Sequence, residues 1–200
     1  MQNNSLIFTY LIFCVLIQFV MQLLSKLKFL PNVFKTKAFY AFVSIVAFVI
    51  AVDLWTKSLV FTLKQNGIYI CSFLNIFQVR NYGISFGLFS NSPSVVFYFI
   101  SIFDVMIIAY LIWLLFGSQK YKKPKLFFTS ISMIIGGAFG NLIDRMLFKS
   151  VRDFVDFHIG IHHWPCFNFA DAVICIGAFL WIICELFYRP NADNGKNNSK

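Results

Sequence analysis

Long runs of apolar residues, each near the length needed to cross a bilayer, constrain this chain more than any other feature. A helix of about 20 residues spans the roughly 30 Å hydrocarbon core at 1.5 Å per residue. Such runs lie at residues 6–24, 39–61, 94–116, 126–148 and 170–187. Because 59% of the 200 residues are hydrophobic, against about half in soluble domains, the sequence predicts an all-α polytopic membrane protein.

Lysines between the apolar runs predict how the chain is threaded through the membrane. One cluster follows the first run, and a second, GSQKYKKPK, precedes the run at 126–148. The positive-inside rule places both clusters in the cytoplasm. Residues 62–93 and 149–168 are then expected on the outer face. This clustering explains the formal net charge of +9, so we expect no nucleic-acid partner.

The ends of the chain suggest three parts. We expect residues 1–38 to form an extra N-terminal hydrophobic helix and a basic loop, 39–188 a membrane domain, and 189–200 a polar cytoplasmic tail. The start MQNNS lacks the basic residues of a cleaved signal peptide. An interfacial helix at residues 1–38 is the alternative, and it would leave four spans with both ends of the chain inside.

The two outer segments carry different signals. Residues 62–93 hold β-branched and aromatic patches bounded by Asn66-Gly67 and Pro93, which predicts short strands and turns. Within them, Asn81 and Gly83 in NYGISFG are typical of a turn. Residues 149–168 are expected to form a loop at the membrane surface.

Acidic residues are few and concentrated. Five of the eight lie either at Asp53 or between residues 136 and 171. Asp53 precedes Lys57 by four residues, the favourable order for a helical ion pair. Such a pair near the interface, with the lysine reaching towards water, is the simpler interpretation. An unusual acid is Asp104, near the middle of an apolar run, which we expect to be protonated and bonded to a Ser or Thr.

The segment GGAFGNLIDR has the pattern of a packed helix. Gly136 and Gly140 form a GxxxG pair, and Gly137, Asn141, Asp144 and Arg145 share one face at helical spacing. Small residues there would let a second backbone approach the polar side chains.

Asp153 and Asp171 suggest acid–base chemistry. Asn168 is placed to cap a helix in which Asp171 is the third residue. Two carboxyl groups a few ångströms apart cannot both ionise easily, so one can hold a proton while the other activates water. The alternatives are a helix cap for Asn168 and Asp171, and a solvated loop acid for Asp153.

Other chemistries find less support. The chain has no GxSxG or HExxH motif, and its five cysteines show no CxxC spacing. His158 and His162 have helical spacing, but the glycine between them and the following Trp-Pro indicate a loop, so we expect no metal and no cofactor. The sequence alone leaves open whether Cys71 and Cys166 form a disulfide. A transporter or channel that uses Asp53, Asp104 and Asp144 as a polar path is a second functional hypothesis.

Five blocks together resemble the lipoprotein signal peptidase family, the bacterial signal peptidases II. They are DLWTK (53–57), NYGISFG (81–87), GGAFGNLIDR (136–145), VRDFVDF (151–157) and FNFAD (167–171). The resemblance implies an aspartic endopeptidase with four core transmembrane helices and a small β platform on the outer face. It also implies that Asp153 and Asp171 are the catalytic pair. The residues implied to support the site or bind substrate are Asp53, Lys57, Asn81, Gly83, Asn141, Asp144, Arg145 and Asn168, with Asp144 a structural neighbour of Arg145.

The resemblance also implies a substrate and a location. The family cuts prolipoproteins just before a cysteine that carries diacylglycerol, in the bacterial cytoplasmic (inner) membrane and near its outer face. Membrane lipid and a globomycin-type inhibitor are the other expected partners, and we expect a monomer. Arg152 departs from the family pattern, since an apolar residue is common there, and Cys166 is unusual beside the site. A relative that binds lipoproteins without cutting them is the remaining alternative.

Overall fold

The computed structural model describes residues 37–63, 67–83, 93–116 and 124–187. Within these ranges the chain forms four long helices and a small antiparallel sheet. The helices are α1 (Lys37–Phe61), α2 (Pro93–Phe116), α3 (Lys125–Phe148) and α4 (Phe169–Phe187). The strands are β1 (Gly67–Cys71), β2 (Leu74–Asn81), β3 (Val151–Ile159) and β4 (His162–His163).

All four helices are long and apolar enough to cross a membrane. They agree within two residues with the runs predicted at 39–61, 94–116, 126–148 and 170–187, so the multi-pass, mostly helical architecture is confirmed. The run at 6–24 and the tail after residue 188 lie outside the described residues. The extra N-terminal helix therefore stays a prediction.

Helix α3 is the centre of the bundle, because it packs against each of the other three helices. Its Ile131 and Ile135 are fully buried. Glycines make the close approach possible: a Cβ on Gly136 would lie 2.8 Å from the Val49 Cβ of α1, and one on Gly137 would lie 2.7 Å from the Ala170 carbonyl oxygen of α4. Real Cβ atoms do not approach so closely, so α3 needs glycine on both faces.

The sheet lies where α1 and α3 end and where α2 and α4 begin. Its order is β1-β2-β3-β4, with every neighbouring pair antiparallel. The strands predicted between residues 62 and 93 are confirmed by β1 and β2. The loop expected at 149–168 is wrong, since this segment supplies β3 and β4. The alternating, β-branched and aromatic sequence VRDFVDF explains why it forms a strand.

A short backbone contact fixes where α4 starts. The Phe167 carbonyl oxygen accepts hydrogen bonds from the N–H groups of Phe154 (3.0 Å) and Val155 (2.8 Å), and the Phe167 N–H donates to the Val155 oxygen at 3.1 Å. The residue that follows, Asn168, is therefore held beside the middle of β3. This contact joins the two parts of the chain that carry Asp153 and Asp171.

Candidate active site

Asp153 lies on β3 and is almost completely buried, with 1% of its surface exposed. Its Oδ1 accepts a hydrogen bond from Asn168 Nδ2 at 2.6 Å, and its Oδ2 accepts one from Asn81 Nδ2 at 2.9 Å. Both carboxylate oxygens thus have an amide donor. The alternative of a solvated loop acid at this position is wrong.

Asp171 and Asn168 form a reciprocal cap at the start of α4. The Asp171 N–H donates to Asn168 Oδ1, and the Asn168 N–H donates to Asp171 Oδ2, each at 3.1 Å. The predicted cap is confirmed. It does not account for all of Asp171, however, since its Oδ1 accepts a further hydrogen bond from Asn141 Nδ2 at 2.7 Å.

Two amide side chains connect the two carboxyl groups. Asn168 Nδ2, which donates to Asp153, also donates to Asn141 Oδ1 at 3.1 Å, and Asn141 in turn donates to Asp171. The connection runs from β3 through the start of α4 and the face of α3 back to α4. A fixed bridge of this kind holds two acids close while leaving some of their lone pairs free for water.

The ammonium group of Lys57 is fully buried and contacts this bridge through Asn141. Lys57 Nζ donates to Asp53 Oδ2 at 2.7 Å and to Asn141 Oδ1 at 2.9 Å, and lies 3.6 Å from Asp144 Oδ2. Lys57 and Asp53 are both 0% exposed. The helical pair is therefore confirmed, but the interpretation that the lysine reaches towards water is wrong. Asp53 Oδ1 also accepts from the Ala170 N–H at 2.9 Å, which joins α1 to the first turn of α4.

The two charged residues near the end of α3 pair differently from the expectation. Asp144 pairs with Arg152 of β3 at 2.7 Å and not with its neighbour Arg145. Arg145 extends instead to α2, where its Nη1 lies 2.5 Å from Asp104 Oδ2. The expectation of a Ser or Thr partner for Asp104 is accordingly wrong, because a guanidinium occupies that position.

The surroundings of Asp153 favour its protonated form. Its pKa is raised from 3.8 to about 6, chiefly because burial disfavours the charge. The hydrogen bonds from Asn81 and Asn168 lower the pKa, the negative charge of Asp171 raises it, and Lys57 lowers it. Burial prevails. Asp153 is thus the carboxyl group that takes up a proton well above the usual range for aspartate.

Asn81 and Gly83 form both a turn and part of the site. The Gly83 N–H donates to Asn81 Oδ1 at 2.8 Å, and Gly83 has a φ of +75°, which favours glycine. The turn orients the Asn81 amide so that its nitrogen meets Asp153. Residues 84–87 of the same block lie outside the described residues.

The structure brings together most of the predicted site residues and adds two. Arg152 and Asp104 are distinctive in the sequence, but the sequence does not show that their partners are Asp144 and Arg145. Charge balance was the signal that would have found them, because each neutralises a predicted site residue in an apolar setting. Cysteines 71, 166, 175 and 184, those that the structure describes, are all free, so Cys71 and Cys166 do not pair.

The fold and the site define a multi-pass membrane protein with a buried, carboxyl-rich polar centre at one end of its helix bundle. A profile described as "Signal peptidase (SPase) II" matches residues 45–187. The chain belongs to the signal peptidase II family. Members of this family are aspartic-type peptidases, so this chain is an aspartic-type peptidase.

The sequence similarity to named relatives extends over nearly the whole length of each relative. The lipoprotein signal peptidase of Pelagibacter ubique (strain HTCC1062) is 38% identical over 170 residues, covering 83% of this chain and 99% of the relative. That of Oleidesulfovibrio alaskensis is 41% identical, covering 76% and 96%. That of Aquifex aeolicus (strain VF5) is 34% identical, covering 84% and 98%.

Solved structures show the same architecture. A bacterial membrane enzyme solved by the in meso method at 2.3 Å resolution superposes with a TM-score of 0.62 at 31% identity, covering 80% of this chain and 94% of that one. A second, at 1.9 Å resolution, gives a TM-score of 0.58 at 31% identity, covering 74% and 94%. The four-helix membrane fold is thus shared with known membrane enzymes.

Proposed function

We propose that this protein removes the signal peptide from prolipoproteins that carry diacylglyceryl-cysteine, cutting the bond just before that cysteine. Its family membership supports lipoprotein signal peptide processing. The observation that carries the finer proposal is the bridge Asp153–Asn168–Asn141–Asp171, which holds two acids from separate elements in one polar site.

The two acids divide the work of hydrolysis. Asp171 accepts a proton from a water molecule as the water oxygen attacks the carbonyl carbon, and Asp153 donates its proton to the carbonyl oxygen. A tetrahedral diol results. When it collapses, the carbon–nitrogen bond breaks and the leaving nitrogen takes up a proton from Asp171, while Asp153 recovers its proton from the diol. The pair ends with the single proton that it had at the start.

The assignment of these roles follows from the surroundings of each group. Asp153, whose pKa is raised to about 6 by burial, is suited to hold the proton. Asp171 lies at the N-terminus of α4 and accepts two N–H donors, from the Asn168 backbone and the Asn141 amide. A helix N-terminus attracts negative charge, and Asp171, unlike Asp153, lies in the first turn of a helix, so we assign it the role of base.

The remaining site residues keep the acids in position. Lys57 orients Asn141 through its oxygen, which leaves the Asn141 amide nitrogen to face Asp171. Asp53 holds Lys57 and the first turn of α4 together. Asn81 is both a donor to Asp153 and the turn residue before Gly83. Each of these contacts crosses between elements, so the site depends on the assembled bundle.

The membrane arrangement supports a lipid-anchored substrate. The lysine clusters favour placing the sheet end of the bundle on the outer face of the bacterial cytoplasmic membrane. Two acyl chains in the bilayer would hold the scissile bond at the depth of the two aspartates. The bond is then already positioned for attack and need not be captured from solution. Residues 39–188 form the proposed catalytic unit. A globomycin-type inhibitor would bind at the polar site that contains Asp153 and Asp171.

Cleavage by the purified full chain tests this proposal. One precursor lipoprotein is prepared with and without diacylglyceryl on its cysteine, and mass spectrometry locates any cut. We expect the lipidated precursor to be cut at the bond before cysteine and the unlipidated one to react much more slowly. Binding of the lipidated precursor without cleavage would favour the non-cutting relative, and a cut elsewhere would also overturn the proposal.

A further inference from the structure

A cluster of polar side chains separate from the proposed active site occupies the far end of the sheet. Asn75 of β2 pairs directly with Asp156 of β3, and His158 of β3 pairs directly with His163 of β4. Because side chains two residues apart on a strand share a face, Asp156 and His158 lie side by side. Three strands thus contribute to one group on one face.

The cluster is displaced along β3 from Asp153. Residues 153 and 156 are three positions apart, about 10 Å along the strand at 3.3 Å per residue. The proposed catalysis uses none of the four clustered side chains. In the sequence, His158 and His162 have helical spacing. In the strand pair the residue that faces His158 is His163 instead.

Two imidazoles converge on one buried carboxylate. His163 Nδ1 lies 2.7 Å from Asp156 Oδ1, and His158 Nδ1 lies 3.6 Å from Asp156 Oδ2. The two rings are stacked, with centroids 4.8 Å apart and planes 17° apart. One ligand atom from each of the three residues lies within 4.8 Å of the others. Two imidazoles and a carboxylate are a common set of ligands for zinc and its neighbours.

An unpaired oxygen adds an independent observation. Asn75 is 9% exposed, and its Oδ1 is buried without a hydrogen-bond partner among the residues that the structure describes. Its Nδ2 points into the cluster, 3.2 Å from Asp156 Oδ2 and 3.5 Å from His158 Nδ1. A buried polar atom without a partner is costly. An amide binds a cation through its oxygen, so turning the Asn75 amide over beside an ion would supply Oδ1 as a ligand.

The dimensions suit a small divalent ion. Ligand atoms at 2.0–2.2 Å from zinc lie about 3.3 Å apart in a tetrahedral site. The widest separation in the cluster must therefore close by at most about 1.5 Å, which side-chain rotation supplies. His163 has the freedom for this adjustment, since 52% of its side chain is exposed. The same exposure gives an ion a path from water.

We infer that Asp156, His158 and His163 form a binding site for a divalent transition-metal ion of the zinc class, with Asn75 or water as the fourth ligand. The ion replaces the proton between His163 and Asp156 and fastens β4 to β3. The site goes beyond the proposed peptidase function, and its occupancy is measurable without any cleavage assay.

Zinc titration of the full chain, purified in detergent with any affinity tag removed, tests the inference. The protein has three histidines in all, and the third, His162, is the matched control. We expect wild type and His162→Gln to bind one zinc ion per chain. His163→Gln and His158→Gln should bind at least about 100-fold more weakly, since even the loss of a residue that only supports a ligand costs 10–100-fold.

A second measurement keeps the test independent of folding. Binding to the native state should raise the melting temperature of wild type and His162→Gln on adding zinc, but not that of His163→Gln. Because His163 is half-exposed, we expect His163→Gln to fold, and its melting temperature without zinc checks this. Equal zinc affinity in wild type and His163→Gln, or no zinc bound by wild type, would overturn the inference.

Discussion

Arg152 and Asp144 form a buried ion pair in which one guanidinium meets both oxygens of one carboxylate. Arg152 Nη2 lies 2.7 Å from Oδ1, and Nε lies 3.1 Å and 3.2 Å from the two oxygens. The Arg152 N–H also donates to Asp144 Oδ2 at 2.9 Å. The pair fixes the end of α3 to the start of β3, one residue before Asp153.

We predict that Arg152→Leu destabilises the protein by about 3–5 kcal/mol, because it leaves Asp144 buried and only weakly compensated. The matched control is Arg80→Leu. Arg80 is the cross-strand partner of Arg152 and also lies over the Phe61 and Phe148 rings, but it is exposed. We expect that control to cost less than about 1 kcal/mol. Unfolding free energies in detergent measure both. Equal losses would contradict a special role for the buried pair.

Gly140→Ala is predicted to slow cleavage strongly by displacing Asp53. A Cβ at position 140 would lie 2.5 Å from Asp53 Oδ2, the oxygen that binds Lys57. Gly136→Ala is the comparison, since its Cβ would meet the apolar Val49 at 2.8 Å. We expect both to lower the melting temperature, but only Gly140→Ala to lower kcat of the folded fraction by about 100-fold or more. The prediction is wrong if the two variants lose kcat alike.

Asp104→Asn is predicted to lower stability by about 1–3 kcal/mol while cleavage continues. The change leaves Arg145 without its charged partner, and both side chains are 19% exposed, so water moderates the loss. In an Arg145→Gln background the same change should cost little. The transporter hypothesis predicts instead that Asp104→Asn abolishes ion flux into proteoliposomes. Asp53, Asp104 and Asp144 each pair with a cation, which argues against a polar path.

The pH dependence of cleavage should reflect the proton on Asp153. Since its pKa is raised to about 6, kcat/KM should fall about tenfold per pH unit above this value as the proton is lost. The same group links pH to folding. The folded state binds the proton more tightly, so the contribution to stability is full below 3.8 and is lost as pH rises through about 6. A kcat/KM that is constant between about pH 5 and 8 would contradict this role.

The helices were largely predictable from the sequence, because apolar length alone determines which segments can cross a membrane. The cap at Asn168 and the close approach at Gly136 and Gly140 were also predictable, since both are local patterns. The strand β3 was missed. The glycine and the Trp-Pro that follow His158 favour a loop, whereas in the folded protein backbone pairing with β2 and with Phe167 makes this segment a strand.

The sequence could not show which side chain each charged residue or histidine pairs with. Asp144 and Arg145 are neighbours, yet they point to different elements and bind Arg152 and Asp104 respectively. Likewise, helical spacing suggested His158 with His162, but strand pairing brings His158 to His163. Such pairs depend on which elements pack together, and residues far apart in sequence decide that.

The most direct test of the central claim is cleavage of a diacylglyceryl-modified prolipoprotein by Asp153→Asn and Asp171→Asn. Glu185→Gln is the matched control, because it makes the same acid-to-amide change on α4, about 21 Å from Asp171 at 1.5 Å per residue. We predict that wild type and the control cut, and that neither aspartate variant cuts although both fold and insert. Cleavage at the wild-type rate by either aspartate variant would contradict the account.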